Sequence, residues 1–133
     1  MDWWILALVP VAWLVQNCLH ELSHLVTAWV VYGRKPLGFF PYPHKHNGKF
    51  YFARCRYEQG PETLAPQCEI HIAPLTWGAA WFAVNLALVL MGLLWALPFA
   101  VCGLVDALWF VRGYFWSKNP WNDGQRWRYG DPS

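Results

Sequence analysis

The chain has 133 residues, and a composition that is 56% hydrophobic and 14% charged, with 11 Trp, is a poor match to a soluble globule. Its length suits one domain, and its apolar residues are clustered into runs rather than dispersed, which points to a membrane protein. The basic residues follow the edges of these runs and form no independent stripe, so no nucleic-acid partner is expected.

The first helix starts between Trp3 and Val11, with Pro10 as a kink or N-terminal boundary, and runs to Tyr32. It ends where Gly33-Arg34-Lys35-Pro36 supplies a glycine, two cations and a proline in succession. The N-terminus begins MDWW, without a basic n-region or a small-residue cleavage site, so this first span is expected to stay in the mature protein.

A polar block follows over residues 33–70. Within it Leu37-Gly38-Phe39-Phe40, the turn former Asn47-Gly48 and the alternating run Lys49 to Tyr57 predict a β-hairpin at the cytoplasmic membrane face. The second helix is expected to open at Ala73-Pro74, where proline suits a first turn, and to continue to about Leu97. Pro98 then marks a tight return, and a third helix fills Phe99 to about Trp116 before Ser117-Lys118-Asn119-Pro120. The apolar stretch from Leu75 to Trp116 is too long for one span and suits a helical hairpin. The expected fold is thus an all-α membrane protein with three transmembrane helices, over about 3–32, 74–97 and 99–117, one short cytoplasmic hairpin and a cytoplasmic tail over 118–133.

All ten Lys and Arg residues, from Arg34 to Arg128, fall on or snorkel toward one side of this arrangement. The positive-inside rule places that side in the cytoplasm, with the N-terminus, carrying Asp2, outside. Cys18, Cys55, Cys68 and Cys102 contain no C-x-x-C pair and read as small hydrophobes or free thiols.

The chemistry sits in an abrupt polar patch inside the first span, Gln16-Asn17-Cys18-Leu19-His20-Glu21-Leu22-Ser23-His24. On a helix His20 and His24 are one turn apart on one face, so both imidazoles can reach a single Zn²⁺ while Glu21 stands beside the open position. Such a metal activates water, and the carboxylate carries its proton to the leaving amine. A mid-span carboxylate costs a few kcal/mol even on the milder insertion scales, so Glu21 needs a functional or paired role.

Two histidines require a third protein ligand, and the candidates are Asp106 and Asp123. At ~1.5 Å per residue, His20 and His24 lie ~18 and ~12 Å from the Tyr32 end, and Asp106 lies ~16 Å from the matching end of the third span. That level favours Asp106. Asp123, in Asn119-Pro120-Trp121-Asn122-Asp123-Gly124, lies past the last span and reads by default as part of a turn. His44 and His46 flank the hairpin turn, and His71 and Glu69 enter the second span as weaker ligand candidates.

These residues resemble the site-2 protease family of intramembrane zinc metalloproteases. The resemblance lies in HELSH on the first helix, in Ala73-Pro74-Leu75, which is like the family's G-P-L at the start of the second, and in an aspartate on the third. It implies a zinc endopeptidase with Glu21 as general base, His20, His24 and an aspartate as ligands, and a membrane-spanning or membrane-associated substrate. Val105-Asp106-Ala107 has the family's topology, whereas Asn119-Pro120 with Asp123-Gly124-Gln125-Arg126 is closer to its N-P and D-G-x-R wording. Asp123 therefore stays as the alternative ligand or a supporting partner.

The chain departs from the family in having Thr76-Trp77 where an Asn follows G-P-L, and in having no inserted PDZ-type domain. Asn17 or Asn85 could orient water or the oxyanion, and the Lys49 to Tyr57 strand could pair with an unwound substrate. Other readings are a membrane zinc-binding or transport protein, and an inactive protease-like regulatory subunit. A partner subunit or self-association could complete so small a core.

Overall fold

The computed structural model describes residues 3–60 and 64–132. Asp2 and residues 61–63 of the polar block, to which parts of the sequence reading refer, lie outside the described residues. Helix α1 spans Trp4–Tyr32, and Pro10 sits within its first turns without ending it. Its end follows the chemistry of the sequence. Gly33 takes the left-handed conformation at φ 65°, its N–H donates to Trp29 O, and Arg34 N–H donates to Ala28 O, so the last carbonyls of α1 are satisfied.

The polar block forms four short strands, β1 (Pro36–Phe40), β2 (His44–His46), β3 (Lys49–Tyr51) and β4 (Arg54–Tyr57). β2 and β3 pair through the turn at Asn47 and Gly48, whose φ values of 50° and 75° are those of a tight hairpin turn. β1 pairs antiparallel with β4, with a register shift between Pro36 and Gly38. The alternating run from Lys49 to Tyr57 is thus two strands, interrupted at Phe52 and Ala53. The region between β3 and β4 lies against α1, where Asn17 Nδ2 donates to Phe52 O at 3.4 Å and the Trp13 and Phe52 rings lie 5.8 Å apart. The polar face of α1 gives the strand an amide to bond, and the aromatic ring gives it a surface to cover.

Helix α2 spans Glu69–Leu90 and α3 spans Leu97–Trp116. α2 begins at Glu69 rather than at Pro74, because a proline in the second turn costs one backbone donor without preventing the turn before it. The return between α2 and α3 comes at Met91–Leu93, where Gly92 adopts φ 89°, and a 3-10 turn at Leu94–Ala96 leads into α3 with Pro98 in its first turn. A last helix, α4 (Asp123–Tyr129), occupies what the sequence presents as a tail.

The chain is mostly helical, and α1, α2 and the segment Leu94–Trp116 are long and apolar enough to cross a membrane. Side chains are distributed accordingly. Gln16, Glu21, Ser23, His24, His71 and Asn85 are buried, whereas Val30, Leu90, Trp109 and Trp116 are exposed. That inversion fits a multi-pass membrane protein, in which lipid covers the apolar exterior and polar groups must find partners inside.

α2 and α3 approach closely at a pair of glycines. A Cβ on Gly103 would stand 3.2 Å from Phe82 Cβ and 3.3 Å from the Gly78 carbonyl. Gly103→Val is therefore expected to destabilise the α2/α3 pair by about 1–3 kcal/mol. Reversible unfolding of the detergent-solubilised chain measures this, and an unchanged midpoint would show that the two backbones have room to spare.

Candidate metal centre

Gln16, His20 and His24 recur at four-residue spacing and so form one stripe along α1 facing α2 and α3. The stripe finds its partners one by one. His24 Nδ1–H donates to the Ile70 carbonyl at 2.7 Å. That carbonyl is available because its helical donor would be the N–H of residue 74, and Pro74 has none. His20 Nδ1–H lies 3.0 and 3.1 Å from the two carboxylate oxygens of Asp106, and Gln16 Nε2 donates to Asp106 Oδ2 at 2.9 Å. Gly78 borders this crossing, where a Cβ would be in ordinary contact with Gln16 Nε2 and Asp106 Oδ2, at 3.4 and 3.5 Å.

With both Nδ1 atoms committed, the two Nε2 atoms face the other way and meet the same atom. Asp123 Oδ2 lies 3.0 Å from His20 Nε2 and 3.1 Å from His24 Nε2. The donor atoms of His20, His24 and Asp123 all lie within 4.8 Å of one another, a grouping that could hold a metal ion.

Asp123 reaches this point because the chain after α3 turns back on itself. Asn122 caps α4 by accepting from Gly124 N–H at 2.9 Å, which places Asp123 at the first helical position. Gly124 lies directly against the α3 backbone at Phe110, Gly113 and Tyr114, and Gly113 in turn receives the Asn122 side chain, with no space for a Cβ at either glycine. Gln125 Nε2 adds bonds to the Gly113 and Tyr114 carbonyls at 2.8 and 3.1 Å. The Asn-Asp-Gly segment is therefore a capped helix start, not a free turn.

Of the two candidate aspartates, Asp123 is the one brought into the group with His20 and His24, and Asp106, preferred by depth, lies on the opposite edge of the His20 ring. Depth along a helix matches levels but says nothing about which ring nitrogen an acid will face.

The donor set fits a cation. If each Nδ1 keeps its proton for Asp106 and Ile70, each neutral imidazole presents an Nε2 lone pair to a carboxylate oxygen, and three acceptors converge with nothing to bind them. A divalent ion satisfies all three, and two imidazoles with one carboxylate is an established zinc set.

Glu21 is buried on the same stretch of α1, facing Cys55 of β4. β4 thus runs beside the acid, and among the described residues it pairs with β1 alone. The remaining sequence candidates lie elsewhere. Asn17 is tied to Phe52 O, Asn85 Nδ2 donates to Trp81 O in its own helix, and His44 bonds the Tyr42 carbonyl and stacks on Tyr51. His46 lies in β2, Glu69 meets the Tyr32 hydroxyl, and His71 is fully buried beside Asp131.

The sequence reading gave no role to Gln16, Cys55, the Ile70 carbonyl, Arg126 or Asp131. Gln16 is legible in retrospect from its four-residue spacing to His20. The others depend on contacts between distant segments.

Burial, and next the facing Glu21 carboxylate, push the Cys55 thiol above its usual range. Its alkylation rate in the metal-free protein is therefore expected to rise only at pH values well above ~8.5, the ordinary thiol pKa. Peptide mapping of alkylated protein across a pH series checks this, and a rate profile like that of a small thiol would remove Glu21 from the thiol's surroundings. Comparison of the chain with protein-family models, curated proteins and solved structures finds no match.

Proposed function

We propose that the protein is a zinc-dependent endopeptidase working within the membrane, with His20, His24 and Asp123 as the zinc ligands and Glu21 as general base and acid. The observation that carries this reading is the meeting of two Nε2 atoms on one carboxylate oxygen, with a buried glutamate one residue from the first histidine. Zinc held by these three groups supplies Lewis acidity, bringing the pKa of water toward ~7 and polarising a peptide carbonyl. The chain's own residues do the rest. Glu21 accepts the proton of the attacking water and returns it to the departing amine. Asp106, itself held by Gln16, keeps the His20 proton on Nδ1 and so keeps Nε2 free to ligate, and the Ile70 carbonyl does the same for His24.

The substrate class that fits is a membrane-spanning or membrane-associated protein. A scissile bond inside an intact helix is inaccessible, so the substrate must unwind near the site, and its freed backbone groups need partners. β4, whose Cys55 faces Glu21, pairs among the described residues with β1 alone, and its other edge offers such partners by strand addition. In this reading the cationic segments after α1 and after α3 face the cytoplasm.

Glu21→Gln is expected to lower cleavage of a membrane reporter by about 10²–10⁴-fold while zinc content stays unchanged. Undiminished cleavage would sink the proteolytic mechanism. Comparing Asp123→Ala with Asp106→Ala separates ligand from orienting partner. The first should lose the metal, and the second should keep the stoichiometry but bind about 10–100-fold more weakly. Zinc analysis of the purified variants reads the difference, and full retention by Asp123→Ala would overturn the ligand assignment.

A further inference from the structure

α4 has only seven residues, too few to be a stable helix by itself, yet its first residue must be placed to within a fraction of an ångström if it is to bind a metal. The glycine contact described above fixes its N-terminal end against α3. A second attachment fixes its C-terminal end, and it is centred on Asp131, outside the His20, His24 and Asp123 group.

The chain leaves α4 at Gly130, whose φ of 82° turns it back toward the segment preceding α2. There Asp131 N–H donates to Leu64 O at 2.9 Å, Leu64 N–H donates to Asp131 Oδ2 at 3.3 Å, and Gln67 N–H donates to Trp127 O at 2.8 Å. The other oxygen of Asp131 accepts from Arg126 Nε at 2.8 Å. Arg126 thereby links the tail to α4, and its Nη1 stands 4.0 Å from Asp123 Oδ1, one turn back. On its remaining side Asp131 Oδ1 lies 3.0 Å from Nε2 of the fully buried His71, off the line that a hydrogen bond needs. His71 directly follows Ile70, whose carbonyl holds His24. Leu64, the residue clasped by Asp131, is itself buried with Ala28 of α1 and with Cys68 and Ile70.

We propose that Asp131 is a positioning residue for Asp123. Its carboxylate ties α4, through Arg126, to Leu64 in the segment that leads into α2, so that the helix carrying the aspartate and the helix whose carbonyl orients His24 are held at one distance. The metal consequence rests on the reading of Asp123 as a ligand, whereas the mechanical one does not.

Both parts are tested on the full chain in detergent, with Asp131→Ala and Asp131→Asn beside wild type. In the metal-free protein, Asp131→Ala should raise hydrogen exchange at the amides of residues 123–129 roughly ten- to a hundredfold, the equivalent of a lost charged hydrogen bond, with α1 to α3 unchanged. Zn²⁺ affinity, measured by chelator competition, should fall about 10–100-fold at unchanged stoichiometry. The visible spectrum of the Co²⁺-loaded Asp131→Ala protein should move toward that of Asp123→Ala. Asp131→Asn, whose single amide oxygen can still accept from Arg126 but not also from Leu64 N–H, should recover part of the affinity and move the spectrum back toward wild type.

Unchanged exchange in α4 would overturn the clasp. Unchanged affinity and spectrum, with exchange raised, would overturn the positioning role. Exchange rising equally across α1 to α3 would show general destabilisation in its place. A wild-type chain that binds no Zn²⁺ would refute the metal reading and leave the exchange comparison to decide the clasp.

Discussion

Two imidazole nitrogens facing one carboxylate oxygen, inside a bundle of apolar helices, is the arrangement on which the rest of the structure depends. Each of the three groups carries a cost in such surroundings unless it is paired, and the pairing must come from within the chain because lipid offers none. The fold supplies it from every element. α2 gives a carbonyl that Pro74 leaves without its helical donor, α3 gives Asp106, and α4 gives Asp123. A change in any of these leaves a buried polar group unmatched, so the polar interior acts as a unit.

The same constraint explains why small residues recur where the helices cross. Gly103 lets α2 and α3 come together beside Gly78, while Gly113 and Gly124 let α4 lie on the α3 backbone. At Gly103, Gly113 and Gly124 even a Cβ would come too close to its neighbours, so side-chain volume there would push the packed elements apart. The hairpin is held to α1 in a comparable way. Its Phe52 carbonyl takes an amide proton from Asn17, and Cys55 then falls opposite Glu21. Among the described residues β4 pairs with β1 alone, which leaves its other edge for the strand addition that the proposed reaction needs.

Local signals account for much of what could be read in advance. The end of α1 at Gly33, the turn at Asn47 and Gly48, and three long apolar helices are all set by residues within a few positions of the feature itself. Where the reading and the structure part, either a local exception is tolerated or a long-range contact has intervened. The start of α2 moved to Glu69 since proline inside a second turn is tolerated. The tail became α4 because two glycines permit backbone contact, which composition does not reveal. The region between β3 and β4 lies against α1 through one asparagine and one tryptophan.

The sequence by itself determined that His20, Glu21 and His24 share a helix, with the histidines one turn apart, that the helix is long and apolar enough to span a membrane, and that the candidate aspartates, Asp106 and Asp123, lie far along the chain. Periodicity and burial cost suffice for those statements, since both are properties of a single helix. Which aspartate meets which nitrogen was decided only by tertiary structure. Asp106 and Asp123 both come to the level of the histidines, and the difference between them is one of direction around the bundle. That direction is set by the crossing at Gly78, the return of the chain after Trp116 and the glycine contact of α4, none of which has a periodicity to read.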